Sequence, residues 1–356
     1  MSRARTARRI AAGAAYGGGG IGLIGAAAVG LVLAEVQLAK RTVGTLAADP
    51  PRADGRYGTE FGGPGAEPLR LAMMGDSTAA GLGVRRARQT PAALLASGLA
   101  AVAERPVELR NVALSGAMSD DLDRQVRMVL DDTGFLPDVT VIMIGANDVT
   151  RRMPPTQSVR LLTAAVRRLR GAGSEVVVGT CPDLGTIEPV YQPLRWLARR
   201  VSRQLAAAQT IGVVEQGGRT VSMGDLLGPE FAANPREMFG PDSYHPSAEG
   251  YATAAMAVLP TLCAALGLWP EADRLDTARN EDMLPVAQAA SAAAGIAGTE
   301  VTAGRAPWAL LKHRRRRRLP AADPAGPPQE VGAPATGAVM RRASHLPPGD
   351  LDDTDR

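Results

Sequence analysis

The feature that most constrains the fold is a repeated alternation of short apolar runs and helical patterns between residues 69 and 267. The runs are apolar at nearly every position, which is typical of strands buried on both faces. Because helical patterns separate them, consecutive strands are expected to run in the same direction within one sheet. The predicted strands are LRLAMM, VELRNVAL, VTVIMI, EVVVGT and IGVVEQ, and the predicted helices span 90–103, 118–131, 156–170, 192–209 and 247–267. The alternation therefore predicts an α/β protein, a three-layer α/β/α sandwich around a parallel five-stranded sheet.

The N-terminal 42 residues have the pattern of a membrane or export signal. Four arginines lie within the first nine residues, and residues 10–34 then carry no charge. An apolar run of about 20 residues is long enough to span a bilayer. Paired arginines ahead of a weakly apolar, glycine-rich run are instead typical of twin-arginine export. Both alternatives predict that residues 1–42 are a signal anchor or export signal and that the catalytic domain is extracytoplasmic.

The remaining chain divides by composition. Residues 43–68 are rich in Gly and Pro and are predicted to be a linker, followed by a folded domain over 69–270. Residues 271–356 are rich in Ala, Arg and Pro and are predicted to be a mostly disordered tail. Its basic run at 312–318 is suited to an anionic surface. Since the arginine clusters lie at the ends of the chain, no basic groove for nucleic acid is expected.

Polar residues follow three of the predicted strands, at 75–77 (GDS), 115–116 (SG) and 145–148 (GAND). A fourth segment, FGPDSYHPSAEGY, places Asp242 and His245 three residues apart just before the last helix. Each segment alone has a structural explanation as a turn or a helix cap. The carboxyl ends of parallel strands meet at one edge of a sheet, however, so these side chains are expected to lie close together.

The presence of His245 favours a catalytic interpretation of these segments over a purely structural one. The chain has three histidines, and the other two, His313 and His345, lie in the predicted tail. A histidine titrates near neutral pH, so it can take a proton from a serine hydroxyl and return it to a leaving group. Asp242 is close enough in sequence to orient the imidazole, and Ser77 is the candidate nucleophile.

Together, the four segments resemble the SGNH or GDSL hydrolases, a family defined by four such blocks. GDS at 75–77 resembles the nucleophile block, NVALSG at 111–116 the glycine block, GAND at 145–148 the asparagine block, and DSYH at 242–245 the Asp-x-x-His block. The resemblance covers residues 69–267, and the joint signal is strong because all four blocks occur in order. It implies an SGNH or flavodoxin-like fold.

The resemblance also implies the role of each residue. Ser77 would attack an ester carbonyl, with His245 as base and then acid and Asp242 as its orienting partner. The oxyanion hole would consist of the backbone N–H groups of Ser77 and Gly116 and the side-chain amide of Asn147. No metal or cofactor is implied.

The sequence allows more than one substrate class. The sequence predicts a serine esterase acting on a lipid-like or small acyl ester, attached to the membrane through its N-terminal segment. The alternatives are an O-acetylesterase or an acyltransferase acting on cell-wall carbohydrate. A non-enzymatic wall or membrane ligand-binding module is the alternative from another class, and the intact Ser77, Asp242 and His245 argue against it.

Overall fold

The structure is a computed structural model of the chain. It describes residues 30, 34–35, 37–38, 49–63, 65–187, 189–224, 231, 233–268, 282–294, 300–303 and 337–341. Nearly all of the predicted signal segment and the whole 312–318 run lie outside these residues. Within them, no helix has the length and apolar character needed to cross a membrane.

One sheet organises the described residues. Its strands are β1 (Gly55–Tyr57), β2 (Leu69–Gly75), β3 (Val107–Asn111), β4 (Val139–Met143), β5 (Glu175–Gly179), β6 (Arg219–Val221), β7 (Asp282–Pro285), β8 (Glu300–Ala303) and β9 (Gly337–Arg341). Their spatial order is β1-β3-β2-β4-β5-β6-β8-β9-β7. The five central strands, β3, β2, β4, β5 and β6, are parallel, whereas the four outer strands pair antiparallel.

Helices cover both faces of the sheet. They are α1 (Ser77–Ala80), α2 (Pro91–Ala103), α3 (Leu122–Leu130), α4 (Ala146–Thr150), α5 (Pro155–Gly171), α6 (Leu194–Glu215), α7 (Pro235–Met238), α8 (Ala248–Ala265) and α9 (Val286–Ala293). Short 3-10 turns lie at Ala87–Gln89, Ser119–Asp121 and Leu184–Thr186.

Strand β2 shows how the layers form. Leu71 and Met73 belong to the apolar cluster that contains α2 and α8, whereas Ala72 and Met74 belong to the cluster that contains α3 and α5. Successive side chains of a strand point to opposite faces, so a strand with no polar face needs cover on both. The predicted α/β/α sandwich is confirmed.

The predicted sheet was wrong in strand count and in one strand. The segment IGVVEQ, 211–216, was predicted to be the fifth strand, but its first five residues are the last turns of α6. Val213 and Val214 are buried within this helix, and the strand comes later, as the three residues of β6 after Gly217 and Gly218. Three residues are too few to give a period in sequence.

The four antiparallel strands were not predicted. Strand β1 lies within the predicted linker 43–68, and β7, β8 and β9 lie within the predicted tail 271–356. Strand β8 pairs with β6, which would otherwise expose a row of backbone groups at the sheet edge. Cys181 and Cys263 are both buried as free thiols.

Candidate active site

Ser77 lies where β2 turns into α1, at the carboxyl edge of the sheet. Gly75 has φ +131°, and a Cβ atom there would lie 1.9 Å from the Met143 carbonyl oxygen of β4. Only glycine permits this close approach of the two strand ends. Asp76 caps α1 by accepting the Thr78 N–H at 2.9 Å. Ser77 is the first residue of the helix, so its own N–H has no acceptor within it.

Ser77, His245 and Asp242 form one row of hydrogen-bonded side chains. The distance from Ser77 Oγ to His245 Nε2 is 2.9 Å, and that from His245 Nδ1 to Asp242 Oδ2 is 2.5 Å. The Asp242 and His245 side chains are 2% and 13% exposed, so within this pair the imidazole is more open to solvent than the carboxylate. The structure thus brings together the three side chains that the sequence proposes as catalytic.

The loop that carries Asp242 and His245 is held closed at its base. Phe239 and Pro246 form an isolated antiparallel bridge, and Gly240 donates its N–H to the His245 carbonyl at 2.7 Å. The other Asp242 oxygen, Oδ1, accepts the backbone N–H groups of residues 244 and 245. The aspartate therefore fixes both the backbone and the ring of His245.

The pKa values of two buried aspartates at this edge are shifted in opposite directions. Burial alone would raise the pKa of Asp242, but hydrogen bonds from the His245 ring and backbone outweigh it and lower the pKa. Burial also raises the pKa of Asp76, to about 6, against the lowering effects of the Thr78 N–H and His245. Asp242 is therefore the aspartate that stays ionised beside the imidazole.

The two other predicted oxyanion donors lie just after β3 and just after β4. Gly116 follows β3 and has φ +79°. Asn147, in α4, donates one amide hydrogen to the Ala117 carbonyl at 2.9 Å. A side-chain amide has two hydrogens, so the second remains for a ligand. Asp148, fully buried, accepts hydrogen bonds from Ser119 and Ser158 and holds the two loops together.

Two buried glutamines support the site, and the sequence analysis missed them. Gln125, in α3, accepts the Gly75 N–H at 2.8 Å and donates to the Gly75 carbonyl at 2.9 Å. Gln209, in α6, accepts the Cys181 N–H at 2.7 Å and donates to the Ile144 carbonyl at 3.1 Å. Both side chains replace strand-to-strand hydrogen bonds where the strands diverge. A glutamine inside a helix has no local pattern that would reveal such a role.

An apolar cavity of about 60 Å³ lies behind His245, on the β4, β5 and β6 side of the sheet edge. It reaches Asp76 and the imidazole, and its apolar lining includes Met143, Ile144, Leu184, Ile187, Met223 and Phe231. Among the described residues, no group of three or more His, Cys, Asp or Glu side chains is arranged to hold a metal. The cavity is thus suited to a small apolar group next to the serine.

A parallel α/β/α sandwich with this row at its carboxyl edge is the arrangement expected of a hydrolase. A family model described as "GDSL-like Lipase/Acylhydrolase family" matches residues 73–253. The chain belongs to this family and is a carboxylic ester hydrolase.

One named relative agrees with this assignment. The GDSL-like esterase Rv1075c of Mycobacterium tuberculosis is 46% identical over 213 residues, which cover 58% of this chain and 67% of that protein. Two solved structures are also similar. TesA has 24% identity, a TM-score of 0.44 and coverage of 55% of this chain and 99% of its own. Axe2, an acetylxylan esterase from Geobacillus stearothermophilus, has 20% identity, a TM-score of 0.43 and coverage of 57% and 95%.

Proposed function

We propose that the chain is a serine esterase that works through an acyl-enzyme on Ser77. The observation that carries the proposal is the row from Ser77 Oγ through the His245 ring to Asp242, with distances of 2.9 and 2.5 Å. A serine hydroxyl is a weak nucleophile without an adjacent base, and a base needs an orienting partner. The row supplies both.

In the proposed reaction, Ser77 Oγ attacks the ester carbonyl carbon while His245 Nε2 takes its proton. The carbonyl electron pair moves to oxygen and gives a tetrahedral oxyanion. On collapse, the bond to the alcohol breaks, and His245 returns the proton to the leaving oxygen. Water then attacks the acyl-enzyme by the same route and releases the acid. Asp242 stays ionised throughout and stabilises the imidazolium.

The oxyanion would be bound by the Ser77 and Gly116 N–H groups and by the Asn147 amide. These groups lie at the ends of β2, β3 and β4, which are neighbouring strands. Donors fixed before the reaction are worth about 3 kcal/mol of barrier each.

We propose a small acyl group as the substrate's acid part, in preference to a long lipid chain. A cavity volume of about 10–15 Å³ holds one water-sized group. The cavity of about 60 Å³ therefore has room for roughly four or five non-hydrogen atoms. Acetyl to butyryl groups fit this limit. The acetyl group of an O-acetylated carbohydrate is within this limit, and a palmitoyl chain is not.

One experiment tests the mechanism. We expect a fluorophosphonate probe to label the wild-type chain at Ser77 and to leave Ser77→Ala unlabelled. His245→Ala should lose at least about a thousandfold in kcat, because no other described residue supplies an imidazole. An unlabelled wild-type chain would favour a ligand-binding module. Rapid labelling and turnover by His245→Ala would contradict the assigned base.

A second experiment tests the acyl group. Hydrolysis of 4-nitrophenyl esters from acetate to palmitate should be fastest at two to four carbons. A maximum at eight or more carbons would contradict this proposal and favour lipid-like esters.

We further propose that the catalytic domain is extracytoplasmic and is attached to the membrane by its N-terminal segment. Support comes from the charge-free run 10–34 and from Glu35, whose carboxylate accepts the Leu194 N–H at the start of α6 at 2.8 Å. Tyr191 and Trp196 are exposed beside this contact, and such side chains are enriched at membrane surfaces. The full chain should remain with membranes after alkaline carbonate washing, whereas a chain starting at residue 43 should be released. Release of both would exclude an N-terminal anchor.

A further inference from the structure

Arg151 is a cation beside the predicted oxyanion hole that the proposed reaction does not use. It directly follows α4, the helix that carries Asn147, and its backbone N–H bonds the Asn147 carbonyl at 2.8 Å. Its side chain reaches the loop after β3, where Nη2 lies 3.2 Å from the position that a Cβ atom on Gly116 would take. The guanidinium is therefore next to one predicted oxyanion donor and on the same short segment as another.

The charge of Arg151 has no counterion in the part of the chain that the structure describes. Among the described residues, no carboxylate oxygen lies within 4 Å of its guanidinium, and the hydrogen-bond partner of its side chain is the Met118 sulfur, at 3.8 Å. Two acidic side chains of the neighbouring segments are engaged elsewhere. Asp148 is fully buried among serine hydroxyls, and Asp121 accepts the Met118 N–H and faces Arg124. Arg151 is exposed and open to a ligand.

The strand order separates this cation from the apolar cavity. Gly116 follows β3, Ser77 follows β2 and Asn147 follows β4, whereas the cavity lies toward β5 and β6. An ester on Ser77 would therefore have one half directed toward apolar side chains and the other toward Arg151. The acyl group belongs in the apolar cavity, which leaves the alcohol half beside the guanidinium.

We propose that Arg151 forms an anion subsite that binds a carboxylate or phosphate on the alcohol half of the ester. The inference rests on the proposed serine esterase function and specifies its substrate class. A guanidinium matches the planar oxygen pairs of both anions, and hydrogen bonds between charged groups are roughly twice as strong as neutral ones. Arg151 is thus a specificity-determining residue. The preferred substrate is a short acyl ester of an alcohol that is itself acidic.

Three acetyl esters with similar leaving groups test this in the full chain. They are 4-acetoxybenzoate, 4-acetoxyphenyl phosphate and the neutral 4-acetoxybenzamide. We expect the wild-type kcat/KM to be at least about tenfold higher for one or both anionic esters than for the neutral ester, and the larger of the two ratios identifies the anion. The ratio should fall with added salt because exposed charges are screened.

Substitutions then assign the preference to Arg151. In Arg151→Gln the anionic-to-neutral ratio should fall to about one, and Arg151→Lys, which keeps the charge, should retain part of it. Arg167→Gln is the matched control, since Arg167 is an exposed arginine of α5 that donates to Gln216 at the end of α6. It should leave both the ratio and the activity unchanged. If Arg151→Gln does not fold, the wild-type ratio and the ratio for Arg151→Lys still test the anion subsite.

Two results would overturn the subsite. One is a wild-type ratio near one, and the other is an Arg151→Gln variant that loses activity equally on all three esters. The second would mean that Arg151 acts on the transition state. Failure of the esterase function itself has a different signature, namely no hydrolysis of any ester and no fluorophosphonate labelling.

Discussion

At the scale of single residues, Asp76 is the side chain whose ionisation should be most visible in the stability of the protein. It is 2% exposed, and burial raises its pKa to about 6, whereas an aspartate in an unfolded chain titrates near 3.9. Between about pH 4 and pH 6, the folded protein therefore holds a proton that the unfolded chain has released. Asp76 should reduce the free energy of unfolding as pH rises through this window.

Asp76→Asn should remove that dependence, because the amide has no proton to release. Relative to wild type, the free energy of unfolding of the variant should rise between pH 4 and pH 6 by up to about 1.4 kcal/mol per pH unit. Urea unfolding at pH 4, 5, 6 and 7 measures it. Asp132→Asn is the control, since Asp132 is on the surface and the Arg110 hydrogen bond lowers its pKa, so its effect should appear only below about pH 4. If the free energy of unfolding changes with pH in the same way in Asp76→Asn and wild type, the raised pKa of Asp76 is contradicted.

The sequence was most informative where a residue type is rare or a motif is local. His245 stood out because it is the only histidine outside the predicted tail, and Asp242 lies three residues from it. Gln125 and Arg151 gave no such signal. Their roles depend on which backbone or loop lies opposite them, and that is decided by tertiary packing.

At the scale of elements, the two glutamines tie helices to the ends of strands. Gln125 is fully buried in α3 and satisfies the N–H of Gly75, two residues before Ser77. The predicted helix 118–131 is close to the observed α3, but periodicity alone marks Gln125 as a polar interruption of a buried face. Likewise, the sequence of the apolar end of α6 predicts a strand because IGVVEQ is rich in β-branched residues.

Gln125→Leu should lower the free energy of unfolding by about 1–3 kcal/mol. The substitution introduces an apolar side chain of similar size but leaves the buried Gly75 N–H without its partner. The Gly75 carbonyl keeps one hydrogen bond, from the Leu114 N–H. Urea unfolding measures the change. Gln204→Leu, at an exposed position of α6, makes the same chemical change and should stay within about 0.5 kcal/mol of wild type. Equal stability of the two variants would show that the Gly75 contact contributes little.

At the scale of the whole molecule, part of the predicted tail completes the sheet. Val301 of β8 is fully buried and pairs with Thr220 of β6, and Ala289 and Ala290 of α9 are also buried. Composition favours disorder in 271–356 because it averages over the region, and these short segments are too brief to change the average. An uncovered sheet edge is a property of the assembled fold, so the sequence does not reveal that β6 needs a partner.

A chain that ends at Pro270 should therefore melt at least about 3 °C lower than the full chain. Burying a valine side chain is worth about 1.5–3 kcal/mol, and each kcal/mol shifts the midpoint by about 2–4 °C in a domain of this size. A chain that ends at Arg341 keeps β7, β8 and β9 and is the control, with a midpoint equal to that of the full chain. Identical melting midpoints for all three chains would show that β7, β8 and β9 do not stabilise the rest of the fold.

The glutamine contacts also determine what amide hydrogen exchange reports at the catalytic edge. Gly75 and Cys181 give their backbone hydrogens to side chains of α3 and α6, and not to a neighbouring strand. Deuterium can enter at these two positions only when the helix lifts away, because fraying of the strand ends does not free them. Their protection factors thus report separately how firmly each helical layer is attached. One is measured two residues before Ser77, and the other beside the cavity residue Pro182.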